Sequence, residues 1–144
     1  MSETIRIGPL EITFLIEGSE SNGGAAVFEC LIPAGSRVPA PHSHDAYEET
    51  VYGVEGVSTW TVDGEARDIG PGEALCIPRG AVHQFENRRD ADVKVLSIVT
   101  PGILGPQYFR DVAAVVAAAN GGPPDPARLA EAMLRHGLTP VPAA

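Results

Sequence analysis

The sequence predicts an all-β sandwich or barrel that is followed by a short helical tail. Three observations indicate this fold class. Apolar segments of strand length recur about every ten residues before Pro101, turn-forming glycine, proline or Asp-Gly pairs separate them, and the apolar spacing becomes helical after Pro101. At 144 residues, the chain is long enough for one domain with its own core.

The predicted strands begin near the N-terminus, where apolar residues alternate at period two. The alternating positions are Leu10, Ile12, Phe14 and Ile16. A loop rich in glycine and serine follows at 18–24. Further strands are predicted in the segments AAVFECLI, ETVYGVEG, VSTWTVDGE, EALCIP, AVHQFENR and VKVLSIVTP. Within VSTWTVDGE, Asp63-Gly64 suits a type I′ turn and therefore predicts a hairpin.

Residues 106–138 are predicted to form two helices. The apolar face of the first helix comprises Phe109, Val112, Val116 and Ala119, and Asn120-Gly121 can end it. The second helix has Asp125 as its N-cap, Pro126 at its first position, an apolar face of Leu129, Met133 and Leu134, and Gly137 at its end. We therefore expect a barrel over 1–105 and a helical tail over 106–144. This tail is too short to be an independent domain and should pack on the barrel or on a partner chain.

The composition is that of an ordinary soluble protein, with 44% apolar and 20% charged residues. A net charge of −9 disfavours nucleic acid and anionic membranes as partners, because phosphates would be repelled. The N-terminus lacks the pattern of a signal peptide and no apolar run reaches the length of a membrane span, so a cytoplasmic protein is expected. Cys30 and Cys76 lie in apolar segments, which favours two reduced, buried thiols.

The stretch from Pro41 to Gly56 contains the first candidate site. His42 and His44 stand at i and i+2, so in a strand they point to the same face about 6–7 Å apart. Two such imidazoles can converge on one ion, and a carboxylate beyond the turn at Asp45-Ala46 can add an oxygen ligand. From this stretch alone, the same residues are equally compatible with the solvated polar end of a strand.

The stretch from Gly72 to Asn87 adds a third histidine, and with it the sequence resembles the cupin superfamily. Its second motif, G-x5-P-x-G-x2-H-x3-N, is matched without a gap by Gly72, Pro78, Gly80, His83 and Asn87. Its first motif, G-x5-H-x-H-x3,4-E-x6-G, is matched by His42, His44, Glu49 and Gly56. Gly35 departs from this pattern, because six residues instead of five separate it from His42.

The resemblance covers roughly residues 10 to 105 and implies a small antiparallel cupin barrel of the double-stranded β-helix or jelly-roll type. It implies one divalent transition metal per chain, held inside the barrel by His42, His44, Glu49 and His83, and it also implies a homodimer. Three neutral imidazoles and a carboxylate suit such a metal on chemical grounds, with open positions for water or substrate. The sequence does not distinguish between iron, manganese, nickel, cobalt, copper and zinc.

The two adjacent glutamates cannot both face the metal, because side chains alternate along a strand. The spacing to Gly56 in the family motif selects Glu49 as the ligand, which leaves Glu48 facing solvent or in an outer position. Asn87 is interpreted as bracing a turn. We expect His136 to interact with the last carbonyls of the second helix.

Several residues are candidates to line the barrel interior. Phe85 lies two residues after His83 and therefore shares its face. The candidate substrate pocket consists of Phe85, Trp60, Val51 and Cys76, each of which is also compatible with an ordinary core position. Tyr108 and Phe109 are candidates to cover the mouth of the barrel.

The resemblance to small bacterial cupins described as quercetin-dioxygenase-like implies a metal-dependent dioxygenase, an oxidoreductase acting on a small aromatic or enolic substrate. Glu49 would then also act as a catalytic base. Two alternatives remain open at this point: a metal-assisted isomerase or lyase acting on a sugar or keto acid, and a non-catalytic module that binds a small ligand. A cation inside the barrel, for which Arg37 and Arg79 are candidates, would favour an acidic or phosphorylated substrate; an aromatic lining would favour an aromatic one.

Overall fold

The computed structural model describes residues 2–141. Its strands are β1 (Glu3–Ile7), β2 (Leu10–Ile16), β3 (Ala26–Ile32), β4 (His42–His44), β5 (Glu48–Glu55), β6 (Ser58–Val62), β7 (Glu65–Ile69), β8 (Ala74–Ile77), β9 (His83–Glu86), β10 (Val93–Thr100) and β11 (Leu138–Pro140). Its helices are α1 (Pro106–Ala118) and α2 (Pro126–Arg135), and a single 3-10 turn spans Gly18–Ser21. The predicted all-β fold with a two-helix tail is confirmed.

The strands form two antiparallel sheets that enclose one core. One sheet has six strands in the order β1-β2-β3-β10-β5-β8, and the other has five in the order β11-β4-β9-β6-β7. Neighbours in each sheet include strands far apart in sequence, such as β3 with β10 and β4 with β9. This pattern of crossing connections is that of a jelly-roll barrel.

The predicted alternation is clearest in the centre of the larger sheet. Along β3, Phe28 and Cys30 are buried, whereas Glu29 between them is partly exposed. Opposite them in β10, Val95 and Ser97 face the same interior. The alternation therefore assigns one face of each strand to the core.

At two turns, the backbone takes positive φ values that few residue types accept. Asp63 and Gly64 have φ values of 48° and 83°, as a type I′ hairpin turn between β6 and β7 requires. Gly56 has a φ of 72°, and a Cβ on it would lie 2.5 Å from the carbonyl oxygen of Asp92. Only glycine fits at this close approach of two chain segments.

Two strands were not predicted. In β1, Ile5 and Ile7 are buried and pair with β2, but the strand has five residues and carries Arg6 on its outer side. In β11, the three residues include Pro140 and pair with β4. The three residues of β11 contain too few positions for a period to be recognised, and the pairing with β2 and β4 makes β1 and β11 strands.

The helix caps are those that the sequence predicts. The buried face of each helix, however, is rotated about the helix axis relative to the predicted face. The Asp125 side chain accepts a hydrogen bond from the Ala127 N–H at 3.0 Å, as predicted for an N-cap. In α1, Val115 is buried and Val116 only half-buried. In α2, Leu134 is 60% exposed, so its assignment to the apolar face was wrong.

The differences between the predicted and observed faces follow from the residues that each helix contains and from their spacing. The core-facing residues of α1 are Pro106, Tyr108, Phe109, Val112 and Val115. Because nearly every position of the second half of α1 is valine or alanine, spacing alone does not fix the centre of its apolar face. In α2, Leu129, Ala132 and Met133 already complete an i, i+3, i+4 stripe, and Leu134 lies one residue further round the helix.

The tail is attached to the barrel along its length. Helix α1 packs against β1, α2 packs against α1 and β11, and β11 continues the smaller sheet beyond β4. Phe109 from α1 meets Phe14 and Phe28 of the barrel, at ring-centroid distances of 5.7 and 5.0 Å. Neither α1 nor α2 is long and apolar enough to cross a membrane, nor is any other helix within residues 2–141.

Candidate metal centre

Three buried histidines converge inside the barrel from two neighbouring strands. His42 and His44 share one face of β4, and His42 is the register partner of His83 in β9. The ring-centroid distances are 5.3 Å between His42 and His44, 4.6 Å between His42 and His83, and 4.4 Å between His44 and His83. One ligand nitrogen from each ring lies within 4.8 Å of the others.

Backbone carbonyls fix the tautomers of two of these rings. The Nδ1 of His42 lies 2.9 Å from the carbonyl oxygen of Ala40, and the Nδ1 of His83 lies 3.1 Å from that of Ala81. A carbonyl oxygen only accepts, so each Nδ1 carries the proton and donates. In the neutral ring, Nε2 then presents its lone pair, as a metal ligand must.

Burial keeps the three imidazoles neutral. It lowers the pKa of His42 to about 3 and that of His44 to about 2, in both cases with a further contribution from the neighbouring His83. Burial also lowers the pKa of His83, against the effect of its bond to Ala81. Metal ligation needs the unprotonated ring, and the site provides it at neutral pH.

Glu49 lies beside this cluster and is also buried. Its Oε1 is 3.6 Å from the Nε2 of His44. Burial raises the pKa of the Glu49 carboxyl to about 7, and a hydrogen bond from Ser97 acts in the opposite direction. Glu48, the preceding residue, points outward and forms an ion pair with Arg79 that includes a 2.9 Å bond from Nη2 to Oε1.

These residues fit a divalent first-row metal. Metal–nitrogen bonds of about 2.0–2.1 Å bring ligand nitrogens within roughly 3–4 Å of one another, which is compatible with the observed convergence. The carboxylate of Glu49 is not part of this mutually close set, but it lies beside it, 3.6 Å from the Nε2 of His44, as a candidate oxygen ligand. Tyr47 stacks on His44 at 4.5 Å and covers the ring on that side, while the Nδ1 of His44 has no partner within residues 2–141.

A largely apolar cavity of about 70 Å³ extends from the histidines. Trp60 and Phe85 line it with their rings 4.8 Å apart. The barrel contributes most of the remaining wall, including Phe28, Cys30, Val95 and Ser97. The tail supplies Tyr108, Phe109, Val112, Met133 and Leu138.

Two of the four residues predicted for the pocket lie elsewhere. Val51 is fully buried but does not line the cavity. Cys76 is exposed on the outer side of β8, which also contradicts the expectation that both thiols are buried. The register explains this, because Cys76 pairs with Thr50 and thus faces outward, whereas Leu75 pairs with the buried Val51. Cys30 is the cysteine that lines the cavity.

The remaining candidate residues do not line the cavity. They are Asn87, His136, Arg37 and Arg79. The Nδ2 of Asn87 donates to the carbonyl oxygens of Ile32 and Ala91 at 2.9 and 2.7 Å, so the side chain braces a turn. The Nε2 of His136 lies 2.7 Å from Asp111 rather than against the helix carbonyls. Arg37 and Arg79 are exposed, and neither lines the cavity.

Sequence reasoning missed the extent to which the tail forms the cavity wall. Tyr108 and Phe109 were expected at the barrel mouth, but Met133 and Leu138 carry no signal that separates them from ordinary core residues. Tyr47, which is fully buried against His44, was also missed. Its position within the first motif, between His44 and Glu49, is the one feature that pointed to it.

Comparison with known proteins places this arrangement in a family. The family model described as a cupin domain matches residues 28–99. The chain is 34% identical over 79 residues to quercetin 2,3-dioxygenase of Bacillus subtilis, a match that covers 54% of this chain and 22% of that enzyme. The chain thus spans about a fifth of the length of this relative.

Solved structures show the same fold. A predicted oxalate decarboxylase from Thermotoga maritima superposes with a TM-score of 0.64 at 22% identity, over 70% of this chain and 92% of that one. A sugar phosphate isomerase of the cupin superfamily from Silicibacter pomeroyi gives a TM-score of 0.53 at 26% identity, over 62% and 59% of the two chains. The family match spans half of the sequence and includes His42, His44, Glu49 and His83, and we conclude that this chain belongs to the cupin family.

Proposed function

We propose that this protein is a metal-dependent dioxygenase that acts on a small enolic or aromatic compound. The observation that carries the proposal is the convergence of three neutral imidazoles in the wall of an apolar cavity, with one buried carboxylate beside His44. Nitrogen and oxygen donors of this kind suit redox-active first-row metals. The similarity to quercetin 2,3-dioxygenase over 79 residues supports the same chemistry.

The residues of the chain have separate tasks in this reaction. His42, His44 and His83 hold the metal, with Glu49 as the fourth ligand. The metal supplies Lewis acidity and access to O2 chemistry when it is bound. Glu49 is the one carboxylate among the described residues that line the cavity, so it is also the group that accepts the proton of a substrate hydroxyl.

The cavity limits the size of the substrate. A cavity needs about 10–15 Å³ to hold one water, so this space corresponds to roughly five waters. Trp60 and Phe85 offer a planar apolar wall against which a small conjugated molecule can lie. This favours a compact enol, diketone or single-ring phenol over a polycyclic one.

The proposal is tested by O2 consumption. Protein prepared without metal is loaded separately with Fe(II), Mn(II), Co(II) or Ni(II) and supplied with a panel of small diketones and phenols. We expect O2 uptake with at least one combination of metal and substrate, and the loss of this uptake in His83→Ala. Absence of O2 uptake with every combination of metal and substrate would contradict the proposal.

A metal-assisted isomerase is the second candidate, favoured by the structural likeness to the sugar phosphate isomerase. In that reaction the metal would polarise a carbonyl group without O2. No arginine or lysine is present among the described residues that line the cavity, so the groups that normally bind a phosphate are lacking there. Turnover of a carbonyl compound at full rate under anaerobic conditions would favour this candidate, and tight binding without turnover would indicate a binding protein.

A further inference from the structure

We propose that Tyr108, on the C-terminal tail, binds the substrate by donating a hydrogen bond from its hydroxyl to an oxygen of the molecule in the cavity. This inference rests on the proposed function and deepens it. It assigns a substrate class with at least two oxygens, one directed to the histidine cluster and one to Tyr108, as in an enol with a neighbouring carbonyl. Tyr108 lies outside residues 28–99, which match the family model.

The side chain of Tyr108 lies in the cavity wall. Tyr108 is 6% exposed, and it lines the same cavity as His42, His44, His83 and Glu49. Burial raises the pKa of its hydroxyl, and the charge of Glu49 raises it further. The hydroxyl is therefore protonated at neutral pH and lies within electrostatic range of the carboxylate, on the side of the cavity that the helices cover.

The hydroxyl of Tyr108 is free to bind a ligand. Within residues 2–141 it has no hydrogen-bond partner, although the residue is more than nine-tenths buried. Within residues 2–141, the fully buried side-chain polar atoms without a partner are the Nδ1 of His44 and the hydroxyl of Tyr47, so the hydroxyl of Tyr108 keeps some accessible surface. Because Tyr108 lines the cavity, a ligand bound there can satisfy this hydroxyl.

Another neutral donor in the cavity wall, the indole of Trp60, is already engaged. The Nε1 of Trp60 donates to the Oγ of Ser58 at 2.9 Å. Ser97 forms a side-chain hydrogen bond with Glu49. Tyr108 thus offers an unengaged neutral donor to a bound molecule.

Neighbouring side chains hold the ring of Tyr108 in place. Tyr108 makes edge contacts with Phe109 and His136, at ring-centroid distances of 5.0 and 5.6 Å. His136 is itself fixed by its 2.7 Å bond to Asp111, which also binds Arg135 at 3.0 Å. A donor on such a supported ring loses little conformational entropy when it binds, so a single hydrogen bond gives a measurable contribution.

The test compares two tyrosine-to-phenylalanine variants in the Co(II)-loaded protein. Tyr108→Phe removes only the hydroxyl from the cavity. Tyr52→Phe makes the same chemical change on the outer face of β5, where Tyr52 is 40% exposed, and serves as the matched control. For each protein, the dissociation constants of Co(II) and of acetylacetone, a small 1,3-diketone, are measured by the visible spectrum of the metal.

We expect Tyr108→Phe to weaken acetylacetone binding about three- to tenfold, the loss of one hydrogen bond, with the affinity for Co(II) and the melting temperature unchanged. Tyr52→Phe should match the wild type in every measurement. Equal acetylacetone binding by Tyr108→Phe and wild type, including absence of binding in both, would overturn the inference, as would a parallel loss of Co(II) affinity. O2 uptake by the same samples reports on the proposed function separately, since a selective binding defect without any O2 uptake supports Tyr108 and refutes the dioxygenase.

Discussion

Glu48 and Glu49 show how one step along a strand separates two identical side chains. Glu49 is buried beside His44, whereas Glu48 lies at the surface with Arg79. The alternation of β5 and its register with β10 and β8 impose this difference. Chemically equal carboxylates therefore have unequal tasks, one in the candidate metal centre and one in a surface ion pair.

Substitution of each glutamate by alanine tests this assignment. We expect Glu49→Ala to lower the affinity for Co(II) by at least tenfold, because it removes an oxygen ligand, and Glu48→Ala to leave it unchanged. Titration of metal-free protein at one fixed pH measures both, since protons compete for the ligands. Loss of metal in Glu48→Ala alone would contradict the orientation of β5, and no effect in either variant would indicate a site of three histidines.

At the scale of elements, the strand that carries two of the histidines is held from outside the family-matched segment. β4 has three residues and pairs with β9 only at His42 and His83. On its other side, all three residues of β11 pair with it, and Leu138 stands opposite His44. The Oγ1 of Thr139 adds a 2.8 Å hydrogen bond to Asp45. The position of the histidines therefore depends on the tail.

Two leucines of the tail test this dependence. Leu138 is buried and lines the cavity, so Leu138→Ala should lower the free energy of unfolding by about 2–4 kcal/mol. It should also weaken Co(II) binding by loosening β4. Leu134→Ala is the control, since a side chain that is 60% exposed should change stability by less than about 0.5 kcal/mol. Urea denaturation and metal titration measure both effects, and equal behaviour of the two variants would contradict the dependence.

The junction of the helices makes a pH-dependent contribution to stability. Hydrogen bonds from His136 and Gln107 lower the pKa of Asp111, with a further effect of the Arg135 charge. A carboxyl with a lowered pKa in the folded state stabilises the fold above its unfolded pKa of about 3.9, and this contribution is lost as the pH falls through the lower, folded value.

The variant Asp111→Asn tests this contribution. At pH 7 the wild type should be more stable than the variant by about 1 kcal/mol, a modest figure because the carboxylate is 19% exposed and partly screened. The difference should shrink towards zero below pH 4, where the wild-type carboxyl takes up its proton. Urea denaturation of both proteins from pH 7 to pH 3 measures the difference. A difference that stays constant over this range would show that Asp111 acts through packing instead of charge.

At the scale of the whole molecule, the tail and the barrel share one core. The aromatic cluster of Phe14, Phe28 and Phe109 crosses from the barrel to α1, and Met133 of α2 lines the cavity that contains the histidines. The candidate centre is consequently enclosed by residues from both parts of the chain. Removal of the tail would expose an apolar surface and open the cavity.

A chain that ends at Pro101 tests this view of the molecule. We expect its far-ultraviolet circular dichroism to retain the strand signal, while its melting temperature falls and it self-associates through the uncovered surface. Thermal denaturation and size-exclusion chromatography measure these changes against the full chain. An unchanged melting temperature together with a monodisperse profile would show that the barrel does not need the tail.

The sequence by itself determined the barrel, the hairpin at Asp63-Gly64, the cap at Asp125 and the candidate residues at His42, His44, Glu49 and His83. These features are local, since alternation, turn conformation and motif spacing are properties of a few neighbouring residues. The resemblance to the cupin family followed from such spacings alone, and the family match over residues 28–99 confirmed it.

Only the tertiary structure decided which residues surround the candidate site. The exposure of Cys76 follows from its register with Thr50, and the place of Leu138 in the cavity wall follows from the pairing of β11 with β4. The inward position of Tyr108 follows from the orientation of α1 about its own axis where it packs on the barrel. These outcomes depend on contacts between segments far apart in the chain, and because several apolar positions fit each local pattern equally well, the packing of the whole molecule selects among them.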